Sequence, residues 1–143
     1  MAQPKLGQSS QGKPMHYSVG AVIQREEKYL LLDRMHSPFG FAGVAGHVDE
    51  GESDIEALLR EVREESGLTV VKYNLLFREE VDGNTCKRGI TVHYWHLFQC
   101  NTRGAVKRNI QETKSIGWYT SEEIKQLILE PVWNYWFTKL NVI

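Results

Sequence analysis

Residues 46–68 read GHVDEGESDIEALLREVREESGL, and this stretch decides the predicted fold because it joins a glycine-rich loop to a strongly patterned helix. Ser53 is a good helix N-cap, and Glu56 lies three residues later, which is the spacing of a capping box. Gly67 provides a helix stop. The sequence therefore predicts a helix from Ser53 to Ser66, with one apolar stripe that docks on a sheet. The residues of this stripe are Ile55, Leu58, Leu59 and Val62.

The predicted helix also carries three glutamates, Glu61, Glu64 and Glu65, which a turn of about 100° per residue brings to one side. We expect this acidic side to stay accessible while the apolar side docks. The carboxylates repel each other, and the repulsion grows when they are partly desolvated. Arg60 and Arg63 offset part of it, whereas a divalent cation offsets more, because carboxylate oxygens are natural ligands of Mg²⁺ and Mn²⁺. The helix alone fits a solvated, salt-bridged face better; the loop before it favours a metal site.

The whole stretch resembles the Nudix signature. That signature is glycine, five residues, glutamate, seven residues, Arg-Glu, an aliphatic residue, any residue, Glu-Glu, any residue, glycine and an aliphatic residue. Every specified position is matched between Gly46 and Leu68. The resemblance implies a Nudix hydrolase, which cuts a phosphoanhydride bond in a nucleoside diphosphate derivative with the help of Mg²⁺, or Mn²⁺ as a substitute.

The resemblance assigns a metal site to the matched positions. Glu61, Glu64 and Glu65 match the metal-binding glutamates of the family, and Gly46 matches the glycine whose backbone lies close to the metal. Glu61 is the best match to the general base, and the other glutamates are its alternatives, since family members differ here. Glu112 is a looser match to a glutamate that some MutT-like members carry in a late loop. It fits an additional metal ligand or base and a plain solvated loop residue equally well.

Two further catalytic positions follow from the same resemblance. Arg60 matches the arginine that orients neighbouring glutamates. Glu52 matches the loop glutamate that assists the site, either by an ion pair with the helix or through metal-bound water. Such a loop–helix unit holds its carboxylates on a rigid element and folds a loop back over them.

The substrate stays open among several classes, because base, sugar and leaving group are set by loops and pocket shape rather than by the signature. The short length favours a MutT-like nucleoside triphosphate pyrophosphohydrolase. The alternatives are an ADP-ribose or other nucleotide-sugar pyrophosphatase, and an enzyme acting on dinucleoside polyphosphates or capped RNA. A Nudix-fold module that senses a nucleotide without cutting it is disfavoured by the intact glutamates.

The rest of the chain mixes strands and helices without a regular alternation, which favours an α+β fold; the resemblance implies an α/β/α sandwich around a mixed sheet. Residues 1–14 are polar and are predicted to be a flexible tail, and residues 15–143 the Nudix domain. The turn Asp82-Gly83-Asn84 is typical of a hairpin. Strands are predicted at 19–23, 29–32, 39–48, 68–78, 90–100 and 115–119, and helices at 120–129 and from Pro131 onwards.

Composition excludes several other classes. The 143 residues suit one domain, and the formal net charge of -1 gives no electrostatic footprint for long nucleic acid or anionic membranes. No apolar run is long enough to span a membrane. Cys86 and Cys100 fit reduced thiols better than disulfides. We therefore expect a cytoplasmic protein, a monomer or homodimer, whose partner is a small nucleotide.

A few histidines and one arginine have open roles. His93 and His96 lie three apart on a predicted strand, so their side chains face opposite sides and are not expected to share a metal. His47, inside the signature loop, fits a residue without a role better than a phosphate contact. Arg34 fits a phosphate contact and an exposed, solvated arginine equally well.

Overall fold

The computed structural model describes residues 2–143, and Met1 lies outside the described residues. Within this range the chain forms eight strands and three helices. The strands are β1 (Leu6–Gln8), β2 (Pro14–Arg25), β3 (Lys28–Arg34), β4 (Phe41–Ala42), β5 (Val44–His47), β6 (Thr69–Asp82), β7 (Val92–Arg103) and β8 (Thr113–Tyr119), and the helices are α1 (Asp54–Ser66), α2 (Ser121–Ile124) and α3 (Pro131–Lys139).

Strand β2 is the centre of the sheet. It pairs in parallel with β7, from Met15 beside Val92 to Ile23 beside Cys100. Its pairings with β1, β3 and β5 are antiparallel, and β6 and β7 form a long antiparallel hairpin. The sheet is therefore mixed, and the predicted α+β class is confirmed. The long apolar run of β2 follows from this position, since a strand covered on both faces has few places for polar side chains.

The N-terminal segment differs from the predicted tail. Leu6 to Gln8 pairs with Pro14 to His16 of β2, and the backbone N–H of Lys5 donates to the carbonyl of Val48 at 2.8 Å. The β1–β2 pairing joins residues six to ten positions apart, whereas Val48 is distant in sequence, and the polar, turn-rich composition of the segment revealed neither contact. A second hydrogen bond joins the segment to the loop that precedes α1, since the N–H of Glu50 donates to the carbonyl of Gln3 at 2.8 Å.

Helix α1 begins and ends as its sequence predicts. Ser53 and Glu56 form the reciprocal capping box, and Gly67 has the left-handed conformation, with φ of 76°. The predicted apolar stripe is partly wrong. Leu58 and Val62 are buried, whereas Leu59 is 43% exposed. The buried face is rotated toward Glu65 because α1 packs on β2, β5 and β6 at an angle that the hydrophobic spacing alone does not fix.

Of the two C-terminal helices, α2 is shorter than predicted, whereas α3 begins where it was predicted. Thr120 and Glu123 form the predicted capping box, but α2 ends at Ile124 instead of about Leu129. Instead, residues 128–130 run beside Phe41, whose N–H donates to Ile128 and whose carbonyl accepts from Glu130. Helix α3 begins at Pro131 as predicted and buries its aromatic face in the core. None of the three helices found in residues 2–143 is long and apolar enough to cross a membrane.

Glycine at position 43 is a steric requirement of this core. A Cβ added there would lie 2.5 Å from the ring of Trp133, which is fully buried. We expect Gly43→Ala to lower the free energy of unfolding by about 1–3 kcal/mol through overpacking, as measured by urea denaturation. Gly117→Ala in β8 is the matched control, because its nearest neighbour would be at an ordinary 3.6 Å. Equal stability of the two variants would contradict the proposed packing.

Candidate active site

A cavity of about 350 Å³ lies where α1 meets β5 and the loop before β8. Its volume is that of a small-molecule site. The sequence-predicted residues Glu61, Glu64 and Glu65 of α1, Gly46 of β5 and Glu112 of the late loop all line it. Five of the seven predicted positions thus meet at one concave surface, and the remaining two, Arg60 and Glu52, lie directly behind it.

The Arg60 guanidinium joins the signature loop to the helix. Its Nε and Nη2 donate to the two carboxylate oxygens of Glu52 at 2.7 and 3.0 Å, a bidentate pair. Nη1 donates to Glu61 at 2.7 Å and to Glu64 at 3.3 Å, and Nη2 also reaches the carbonyl of His47 at 3.0 Å. Of the two roles implied for Glu52, the ion pair with the helix is the one its side chain makes. This pairing lowers the pKa of Glu52 and raises that of Arg60.

The backbone of β5 lies against the helix carboxylates. A Cβ at Gly46 would overlap the carboxylate of Glu61, so only glycine leaves room for this side chain. The backbone N–H of Ala45 donates to Glu65 Oε1 at 3.1 Å. The glycine of the signature is therefore required by close packing, since its conformation is otherwise ordinary.

The glutamates differ in exposure, which corrects the expectation of a wholly accessible acidic side. Glu64 is exposed, Glu61 is half-buried, and Glu65 is only 9% exposed. Burial raises the pKa of Glu61 to about 7, against the opposing effect of Arg60. Burial, together with repulsion from Glu61, raises the pKa of Glu65 to about 8. A group of crowded, desolvated carboxylates that resist ionisation fits a divalent cation, because its charge removes the cost of keeping them ionised.

A second set of charged residues borders this carboxylate group. Glu112 is half exposed, and its carboxylate lies 4.0 Å from His36 Nε2. Glu130 was not predicted; it lines the same cavity, it is buried, and burial raises its pKa to about 7. The positive charge of Arg34 opposes this rise at Glu130 and at Glu65. The sequence did contain one sign of this position, because Glu130 is a single charged residue between the apolar runs 127–129 and 132–133.

Arg34 itself is held in place rather than free in solvent. Its Nε donates to the carbonyl of Pro38 at 2.6 Å, and the half-buried side chain lines the cavity. This position is compatible with a phosphate contact, one of the two roles left open by the sequence.

The opposite wall comes from the connection between β6 and β7. Asn84, Cys86, Lys87 and Arg88 of this loop line the cavity. Lys87 and Arg88 bring positive charge to a site whose other wall is acidic. The sequence pattern of this stretch predicts a hairpin turn and gives no sign of a place in the site.

Three histidines meet Cys86 at this wall. His16 of β2, His47 of β5 and His93 of β7 have ring centroids 4.7 to 5.9 Å apart. Burial lowers the pKa of His47 to about 3 and that of His93 to about 4, so both imidazoles are neutral near pH 7. His96 is not part of this group, and its Nε2 lies 3.7 Å from Asp54.

Fold and cavity together define a hydrolase of the Nudix class: a mixed α+β sandwich in which a loop–helix unit presents glutamates to a nucleotide-sized cavity. The family model described as NUDIX domain matches residues 14–139, and the chain belongs to this family. It is therefore a Nudix hydrolase that acts on nucleotide derivatives.

Relatives in sequence and structure agree with this assignment. The chain is 35% identical over 120 residues to the CTP pyrophosphohydrolase of Escherichia coli, covering 79% of this chain and 82% of that protein. It is 33% identical over 102 residues to the mouse asymmetrical bis(5'-nucleosyl)-tetraphosphatase, covering 70% and 69%. The crystal structure of a MutT protein from Methanosarcina mazei superposes with a TM-score of 0.72 at 25% identity, covering 89% of this chain and 92% of that one.

The burial of Glu65 predicts a pH-dependent stability in the absence of divalent cations. Its folded-state pKa of about 8 is above its ordinary value, so the folded state binds this proton more tightly than the unfolded state does. The stabilising effect of that proton is complete below about pH 4.5 and is lost as the pH rises through about 8. We therefore compare the free energy of unfolding of the wild type with that of Glu65→Gln in the presence of chelator. The difference, wild type minus variant, should fall by on the order of 1 kcal/mol or more between about pH 4.5 and about pH 8.

Urea denaturation at several pH values measures this difference, and subtracting the variant removes the contributions of other groups. The exposed Glu122→Gln is the matched control and should follow the wild type at every pH. If the free energies of unfolding of the wild type and of Glu65→Gln changed in parallel with pH, the raised pKa of Glu65 would be contradicted.

Proposed function

We propose that the protein hydrolyses a phosphoanhydride bond of a nucleoside triphosphate in a Mg²⁺-dependent reaction, releasing a nucleoside monophosphate and pyrophosphate. The observation that carries the proposal is the convergence of Glu61, Glu64, Glu65 and Glu112 on one cavity with the backbone of Gly46. Carboxylate and carbonyl oxygens are the donors that Mg²⁺ prefers, and Mn²⁺ accepts the same set. When bound, the ion neutralises the diphosphate and activates water for attack.

The remaining steps, orienting the carboxylates and accepting a proton, fall to the side chains. Arg60 keeps Glu61 and Glu64 oriented toward the cavity, while Glu52 fixes Arg60 from the loop side. A carboxylate of the group accepts the proton of the attacking water; Glu61 is our first choice because it is the best match to the general base that the family resemblance implies. As in other phosphoryl chemistry, the contribution of the protein is mainly positioning and charge compensation.

Charges on both walls favour a polyphosphate substrate. Arg34, Lys87 and Arg88 line the cavity and are suited to phosphate oxygens that the acidic wall does not neutralise. The similarity to a CTP pyrophosphohydrolase over four-fifths of both chains supports the triphosphate class. Similarity to a bis(5'-nucleosyl)-tetraphosphatase supports dinucleoside polyphosphates as a second candidate. The expectation of a cytoplasmic monomer or homodimer without nucleic-acid or membrane partners stays a prediction.

Neutralising a helix glutamate should stop turnover without unfolding the protein. We expect Glu64→Gln and Glu65→Gln to lower kcat by two or more orders of magnitude, because each removes a charge from the proposed metal site. The melting temperature should stay the same or rise, since carboxylate repulsion is relieved. Steady-state release of pyrophosphate with Mg²⁺ and circular dichroism on the same samples provide the two measurements.

Glu122→Gln is the matched control for these variants. Its side chain is 83% exposed on α2, away from the cavity, and accepts a hydrogen bond from Lys125 at 3.0 Å, so this variant should retain wild-type activity. Wild-type turnover in a folded Glu64→Gln or Glu65→Gln protein would refute the assignment of these residues.

A substrate panel distinguishes the competing classes. Nucleoside triphosphates, oxidised triphosphates, ADP-ribose and bis-nucleosyl tetraphosphates are assayed with Mg²⁺, with Mn²⁺ and with excess chelator. We expect the highest kcat/KM for a triphosphate, pyrophosphate as product, and complete loss of activity in chelator. Preferred cleavage of ADP-ribose would overturn the substrate class alone, whereas tight nucleotide binding without any turnover would indicate a sensing module.

A further inference from the structure

We infer that His16, His47, Cys86 and His93 form a second metal site, suited to Zn²⁺ and distinct from the carboxylate site. One nitrogen or sulfur atom from each of these residues lies within 4.8 Å of all the others. The four residues come from β2, β5, β7 and the loop between β6 and β7, so only the folded chain brings them together. This inference does not depend on the proposed substrate or on the catalytic role of the glutamates.

The donor set selects the metal. Imidazole nitrogens and thiolate sulfur are the ligand types of four-coordinate zinc sites, whereas Mg²⁺ binds oxygen ligands. In a tetrahedral zinc site the donor atoms are about 3.3–3.6 Å apart, as follows from Zn–N and Zn–S bonds of about 2.0 and 2.3 Å. The observed spacing of up to 4.8 Å is wider than this, so metal binding would draw the four side chains closer together.

A second observation points to a ligand at the same place. His93 is only 2% exposed, and its Nδ1 is buried without a hydrogen-bond partner among the described residues. A buried polar atom without a partner is costly, and a bound metal or the reorientation that metal binding brings would satisfy it. His16 Nδ1 lies 3.9 Å from Cys86 Sγ, a distance that makes only a weak hydrogen bond but allows both atoms to bind one ion.

Strand register explains how the site is built. His16 and His93 are directly paired across the parallel β2–β7 ladder, and His47 lies opposite Ser18 on the other neighbour of β2. Cys86 is fixed by a turn in which its N–H donates to Ile90 and its carbonyl accepts from Gly89. Three ligands are therefore on rigid strands, and the fourth is on a loop that the metal would hold against them.

Metal binding requires one proton transfer and no redox change. The S–H bond of Cys86 breaks, the proton goes to solvent, and the thiolate binds the zinc ion. Each imidazole binds in its neutral form, through the ring nitrogen that carries no proton. The resulting bond attaches the β6–β7 loop, with Lys87 and Arg88, to the sheet beside the cavity.

The experiment measures metal binding alone, without substrate. Apo-protein is titrated with Zn²⁺ against a chromophoric chelator in excess Mg²⁺, and with Co²⁺ while the absorption spectrum is recorded. We expect one tightly bound zinc per chain, and for Co²⁺ the visible bands of a tetrahedral ion together with a thiolate-to-cobalt charge-transfer band. Cys86→Ala should lose the charge-transfer band and weaken zinc affinity by about 100-fold or more, since removal of a ligand costs at least as much as loss of an outer-shell partner.

Matched variants distinguish this site from three other places where zinc could bind. These are the second thiol Cys100, the histidine His96 outside the group, and the carboxylates of α1. Cys100→Ala removes the other thiol, which is buried in the core, and His96→Gln removes a histidine outside the group; both should bind zinc like the wild type. Glu64→Gln should also retain zinc binding. Bound Zn²⁺ should also protect the Cys86 thiol from an alkylating reagent, and this measurement on the native protein needs no substitution.

Two results would overturn the inference. One is wild-type zinc affinity in Cys86→Ala and in a folded His93→Gln protein. The other is loss of zinc binding in Glu64→Gln while Cys86→Ala retains it, which would place the ion among the carboxylates. Because no substrate is present, failure here leaves the proposed hydrolase activity untouched, and an inactive enzyme would leave the zinc site untouched.

Discussion

The site depends on the hydrogen bonds and ion pairs that the Arg60 guanidinium makes with the loop and the helix. This group lies between the loop glutamate Glu52 and the helix glutamates Glu61 and Glu64, and it also reaches the carbonyl of His47. A planar, permanently charged group can satisfy several carboxylates at once, which a lysine cannot do with the same geometry. The loop is thereby fixed to the middle of α1 before any ligand arrives. The orientation of the acidic side chains is thus a property of the folded chain itself.

This arrangement has an electrostatic cost that is concentrated at Glu65. The side chain is buried beside Glu61, and the N–H of Ala45 and the positive charge of Arg34 only partly stabilise its charged form. A carboxylate in such surroundings favours its protonated form until a positive charge is supplied. This cost supports the proposal that the site binds a cation, because a bound positive charge would offset it. This exchange of stability for function is common where charges are gathered for catalysis.

Local features of the fold were predictable from the sequence, and features that depend on pairing between distant segments were not. The capping box of Ser53 and Glu56 and the helix it begins involve contacts only three residues apart. The burial of Glu65 depends on how α1 is rotated against the sheet, which hydrophobic spacing specifies only roughly. The meeting of His16 and His93 depends on the register of two parallel strands far apart in sequence. The signature predicted which residues line the acidic wall, because it encodes one contiguous loop and helix, but it contains no information about the wall that faces them.

The two walls of the cavity have different structural origins. The acidic wall is fixed by helix capping, by Arg60 and by close packing at Gly46, so almost any change there disturbs several contacts. The basic wall belongs to a connection whose ends are fixed by the pairing of Asp82 with Val92. The residues between these two positions lie outside the β6–β7 register and outside α1. Descendants of this chain can therefore acquire new ligand preferences by remodelling one connection while inheriting the reaction chemistry intact.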